Sequence, residues 1–136
     1  MLHKSFEITI PFVETEDGWR PIIEVVFIKP NSPSPLMLAL EFDTGADSIC
    51  LSSDMEWAFP NLKSQKIYGV GSKRAHQGKI TRGEIQLLGR TIECDILFAP
   101  MRPKTWRQGV LGRECFKPFG FGFWEDAREL YVSLTP

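Results

Sequence analysis

The run Leu40-Glu41-Phe42-Asp43-Thr44-Gly45-Ala46-Asp47-Ser48 holds the side chains best placed to do chemistry. An apolar stretch stops at a carboxylate, a hydroxyl and a residue with no side chain, and the chain turns apolar again at Ile49-Cys50-Leu51. A carboxylate delivered to the bottom of a cleft by a buried strand can take a proton from water or return one. Two further stretches carry distinctive spacing: Val110-Leu111-Gly112-Arg113, and Ile67-Tyr68-Gly69-Val70-Gly71-Ser72, a tyrosine beside two glycines. Taken by itself the latter is a hairpin tip with glycines for the turn. Cys50, Cys94 and Cys115 show no C-x-x-C spacing, and only His3 and His76 could join them, so neither a metal nor another cofactor is expected. Cys50 and Cys94 fall in strand-like apolar runs and read as small buried hydrophobes.

Together these stretches resemble the motifs of the retropepsin-like, single-lobe aspartic proteases. Asp43-Thr44-Gly45-Ala46-Asp47 is similar to their active-site loop, Val110 to Arg113 resembles their second signature before a short helix, and Ile67 to Ser72 looks like the flap that closes over substrate. The resemblance spans most of the chain, with the motifs in the right order. It implies a closed acid-protease barrel and an aspartic endopeptidase in which Asp43, Thr44 and Gly45 are catalytic. Ala46, Asp47, Tyr68, Gly69, Val70 and Gly71 would contact substrate, and Gly112 and Arg113 would support the loop. Thr44 would hydrogen-bond across a two-fold axis, and Gly45 would let main chain approach; Gly45 also reads as a turn residue needing an unusual backbone angle. Asp47 and Arg113 match positions that form an internal ion pair, though exposed pairs contribute little.

Cutting an amide without a metal or covalent intermediate requires one group to take a proton from water and another to give one to the leaving nitrogen. Two carboxylates too close to ionise together do both, a behaviour for which aspartic proteases are the standard illustration. Only one Asp-Thr-Gly is present, and the chain has room for one lobe. The implied enzyme is therefore a homodimer, with Asp43 of each subunit at an isologous two-fold contact. Ala46 carries no hydroxyl to donate to a nearby carboxylate, which implies a pH optimum nearer neutral than in enzymes with Ser or Thr there. Two other readings stand beside this one: a non-catalytic peptide-binding or dimerisation module on the same fold, and a half-site completed by a different chain.

The elements that position these residues are strands. Leu36, Leu38, Leu40 and Phe42 alternate with Met37, Ala39 and Glu41, so period 2 runs up to Asp43. Phe6 to Ile10 reads as a first strand, residues 14–18 as a polar turn, Pro21 to Ile28 as a buried strand, and residues 29–35 as a loop. Ser53 is placed to cap a helical turn that Pro60 stops. Gln65 to Val70 rises into the flap, and Lys79 to Leu88 returns. Residues 88–91 turn into a strand reaching Phe98, and Pro100 and Pro103 then break the chain. Trp106 to Leu111 reads as a strand and Arg113 to Lys117 as a short α-helix. Phe119, Phe121 and Phe123 pair with Leu130, Val132 and Leu134 in a closing hairpin, which either packs on its own barrel or forms the dimer interface. The fold class expected is all-β, a single domain over 1–136.

The bulk properties set few further bounds. Sixteen basic against seventeen acidic side chains give no field to gather nucleic acid or an anionic membrane, so neither partner is expected. A hydrophobic content of 43%, with ten Phe and four Trp, suits a compact interior. The amino terminus lacks the apolar core of a signal peptide, and no apolar run nears the ~18 residues of a membrane span. With three unpatterned cysteines, the expectation is a soluble cytoplasmic protein in a reducing compartment.

Overall fold

The computed structural model describes residues 7–28, 30–68, 75–101 and 104–135. Its strands are β1 (Ile8–Pro11), β2 (Val13–Thr15), β3 (Gly18–Arg20), β4 (Ile22–Ile28), β5 (Leu36–Phe42) and β6 (Ile49–Ser52), followed by β7 (Lys63–Tyr68), β8 (Ala75–Leu87), β9 (Arg90–Ala99), β10 (Gly109–Leu111), β11 (Gly120–Trp124) and β12 (Glu129–Ser133). The main sheet runs β4-β5-β10-β6-β9-β8-β7, and pairing of β4 with β8 closes its first six strands into a barrel. Closure removes the free edges that an open sheet would expose. A three-stranded sheet, β1-β12-β11, and the β2-β3 hairpin complete the architecture.

Alternation dictates what the barrel buries. Leu38, Leu40 and Phe42 of β5 face inward, while Met37 and Glu41 face the other way. Leu40, Ile49, Leu51, Ile85, Leu87, Phe98 and Leu111 are fully excluded from solvent and form the centre of the core. Each such side chain contributes about 1.5–3 kcal/mol relative to an exposed one. Cys94 and Cys115 belong to this core, whereas Cys50 is only half-buried; all three are free thiols.

The structure revises several local expectations. The expected short α-helix is a 3-10 turn over Arg113–Phe116, and a second 3-10 turn spans Ser53–Ala58. The first of these has too few residues before Pro118 to accumulate α-helical bonds; it closes instead through Cys115 N–H to Gly112 C=O, three residues back. The cap of the Ser53–Ala58 turn is Ser52 rather than Ser53, its hydroxyl accepting from Asp54 N–H at 3.3 Å. The strand expected from Trp106 shortens to Gly109–Leu111 because Gln108 takes a ladder position with its side chain. Its N–H donates to Ala39 C=O at 2.9 Å and its Oε1 accepts from Ala39 N–H at 2.7 Å. The β8–β9 connection is a two-residue turn, Leu88-Gly89, with φ of 50° and 80°. The expected first strand begins at Ile8; Phe6 lies outside the described residues.

The carboxy-terminal hairpin packs on its own barrel. Phe42 is the pivot, with Phe116, Phe121 and Phe123 at centroid distances of 4.1, 5.1 and 5.3 Å. Such ring pairs add about 0.5–1.5 kcal/mol beyond their buried area. Strand β12 is occupied on both sides, by β11 and by β1, so the two ends of the described chain are joined in one sheet. Phe121 and Phe123 nevertheless keep 39% and 37% of their surface exposed, and Trp124 keeps 58%. Among the described residues no helix is long and apolar enough to cross a membrane.

Candidate active site

Asp43 is placed by three neighbouring strands. β5 runs parallel to β10, and β10 runs antiparallel to β6, so the outgoing end of β5, the exit of β10 and the start of β6 converge. Phe42 anchors the end of β5 in the core, its N–H donating to Pro21 C=O at 2.9 Å. One residue later the side chain emerges to solvent, and Asp43 N–H donates to Leu111 C=O at 3.0 Å. The Asp43 carboxylate accepts the Gly45 N–H on Oδ1 at 2.9 Å, which fixes its rotation about the chain. Ala46 N–H closes the loop onto Asp43 C=O at 3.1 Å.

The second motif clamps this loop from the other side. Arg113 N–H donates to Ala46 C=O and Glu114 N–H to Asp47 C=O, each at 2.9 Å. Gly112 makes the approach feasible: a Cβ there would lie 2.5 Å from Asp47 C and from the Ser48 N and O. Gly45 is needed for a related reason. Its backbone lies outside the positive-φ region reached by Gly18 and Gly89, so the expected unusual angle is absent; a Cβ would instead meet Asp43 Oδ1 at 3.2 Å. The Arg113 guanidinium donates to Asp47 Oδ1, the ion pair expected from the resemblance. Both partners are well exposed, and such pairs stabilise by only about 0–1 kcal/mol.

Asp43, Thr44, Gly45, Ala46, Asp47, Gly112 and Arg113 are thus brought together. Tyr68 ends β7, its backbone opposite Ala75, at the far end of a long ribbon that β7 and β8 extend from the barrel. Gly69, Val70 and Gly71 lie outside the described residues.

Beside Asp43 and Thr44 opens a recess of about 470 Å³. Its wall includes Arg20, Glu41, Arg107 and Phe123, none of which the sequence assigns to the site. The Glu41 carboxylate is 14% exposed and receives Arg20 Nη1 at 3.5 Å on Oε2 and Arg107 Nη1 at 3.2 Å on Oε1. The one available signal was Glu41 itself, an acid two residues before Asp43 on the same side of an apolar strand. A separate recess of about 280 Å³, lined by Phe27, Phe59, Pro60 and Thr81, contains none of the motif residues.

No family model and no curated protein matches this sequence. Solved structures do match in shape. A retropepsin-like aspartic protease from Rickettsia conorii is 18% identical, with 98% of this chain and 96% of that one superposed at a TM-score of 0.63. The EIAV protease complexed with the inhibitor HBY-793 is 23% identical over 72% of this chain and 86% of that one, with a TM-score of 0.51. The chain is retropepsin-like in fold, a closed all-β acid-protease barrel.

Proposed function

We propose that this chain is one half of a homodimeric aspartic endopeptidase, in which Asp43 and Asp43 of the partner subunit activate the water that attacks a peptide bond. The observation that carries the proposal is the placement of Asp43: a solvent-facing carboxylate at the end of a fully anchored strand, oriented by Gly45 N–H and braced by the Gly112–Arg113 clamp. One such loop per barrel supplies one of the two carboxylates that the chemistry requires.

At the two-fold axis the pair shares one proton, because two negative charges so close cannot both ionise. The ionised carboxylate takes a proton from water as its oxygen adds to the substrate carbonyl carbon. The protonated partner then gives its proton to the amide nitrogen as the C–N bond breaks. Thr44 ties the two loops across the axis, and Gly45 keeps the main chain close to the dyad. Ala46 and Asp47 border the bound peptide, and Tyr68, Gly69, Val70 and Gly71 are its further contacts in this reading. An extended peptide pairs with main chain beside the loop.

The test is cleavage of a diverse peptide pool from about pH 3 to about pH 8, a range spanning the titration of carboxylates, by wild type and Asp43→Asn. Sedimentation of both proteins accompanies it. Cutting by wild type alone, with both proteins dimeric, is the expected result. A dimer that binds peptides without cutting them would make the chain a binding module, and cutting by a strict monomer would remove the shared dyad.

A further inference from the structure

We infer that the recess beside Asp43 is a specificity pocket for a substrate side chain ending in a hydrogen-bond acceptor rather than for an apolar one. The inference rests on the protease reading above and concerns the same cleft.

Three elements build one polar wall. Arg20 ends β3, Glu41 lies on the outward face of β5 two residues before Asp43, and Arg107 leads into β10. Glu41 stands opposite Ile22 on one side and Val110 on the other, so the approaches of both neighbouring strands deliver an arginine to it. Both Glu41 oxygens are engaged, one by each guanidinium. Asp43 and Glu125 line the same recess, so the arginines are its cationic donors among carboxylates, and only part of their donor capacity is directed at Glu41. Each guanidinium carries five N–H groups. Arg107 directs one nitrogen at Glu41, and Arg20 directs one there and one at Asp17 C=O at 3.0 Å.

The guanidiniums are also held in place before any substrate arrives. Arg107 lies 5.3 Å from the Trp106 ring centroid and Arg20 lies 6.0 Å from it, within cation–π range. Arg107 is only 20% exposed. A substrate carboxylate or amide oxygen entering the recess would accept charge-assisted hydrogen bonds from groups already positioned. A leucine or phenylalanine side chain would strip water from the same groups and return no hydrogen bond, which is costly. In a two-fold dimer the recess occurs twice, once on each side of the scissile bond.

The experiment uses peptides identical except for the residue on either side of the bond, set to Glu, Gln, Leu or Phe. Wild type gives kcat/KM for cleavage, and Asp43→Asn gives Kd by calorimetry, so preference is read even if nothing is cut. Glu or Gln should exceed Leu by about tenfold in both, the size of one hydrogen bond to a charged group. Glu41→Gln, which keeps the shape and removes the negative charge, should widen the Glu-over-Leu ratio, and Glu41→Leu with Arg107→Leu should reverse it. Equal or better binding of Leu or Phe by the unaltered wall, or a ratio unmoved by Glu41→Gln, overturns the inference. Loss of cutting with the binding preference intact would count against the protease reading alone.

Discussion

A methyl group at position 112 would fall 2.5 Å from three backbone atoms of the Asp47–Ser48 segment, and no side-chain rotation can relieve a clash with main chain. Gly112→Ala should therefore cost about 3 kcal/mol, the upper part of the overpacking range, read as a lowered urea midpoint, and should weaken cleavage by loosening the loop. Ala46 bears on acidity. Its side chain offers no donor, and its N–H and C=O are both spent within the loop, on Asp43 and Arg113. Ala46→Ser should shift the pH–rate profile toward acid, and a wild-type profile peaking below about pH 3, where ordinary aspartates are mostly protonated, would contradict this reading. These residues were legible in the sequence because a loop motif is local: Asp43 to Asp47 and Gly112 to Arg113 each sit within a few positions of one another. Glu41, Arg20 and Arg107 were not, because only the pairing of three strands distant in sequence brings them onto one wall.

Strands announced themselves by period 2, and β5 runs over the residues that the alternation indicated. What the pattern could not convey was competition for hydrogen bonds. Gln108 displaces main chain from the ladder with its own amide, and the short segment after Gly112 tightens into a 3-10 turn, outcomes settled by partners rather than propensity. The segment that carries Arg107 is fastened to the β2–β3 hairpin. Lys104 pairs with Asp17 at 3.1 Å, and the Trp106 indole N–H donates to the same carboxylate at 3.3 Å. The hydrogen bond from Lys104, foremost among several causes, holds the Asp17 carboxyl below its ordinary range. A carboxyl with a depressed folded value contributes its stability in full above the ordinary value of about 3.8, and loses it as pH falls through the lower folded value. Acidification below about pH 4 should thus free the segment. Trp106 emission should change over that window in wild type, and Asp17→Asn should flatten the change.

The barrel closes on its own through β4 and β8, whereas the proposed chemistry needs two carboxylates and each chain supplies one Asp-Thr-Gly loop. Specific activity should rise with protein concentration through the dimer dissociation range, and an excess of Asp43→Asn chains should poison wild type by forming mixed pairs; strictly linear activity at all dilutions would argue against assembly. Closure through β4 and β8 could not be read from the sequence, because Glu84 to Gln86 pair with β9 on one side and with β4, distant in the chain, on the other. The sheet of β1, β12 and β11 has a further consequence for the order of synthesis. β1 is made first and β12 last among the described strands, so on the ribosome β1 waits unpaired while the barrel between them is built. The phenylalanines that back Phe42, directly beneath Asp43, arrive with that same late hairpin. A nascent chain therefore has its aspartate long before it has the packing that steadies it, so the loop should reach its final geometry only after the last hairpin is made.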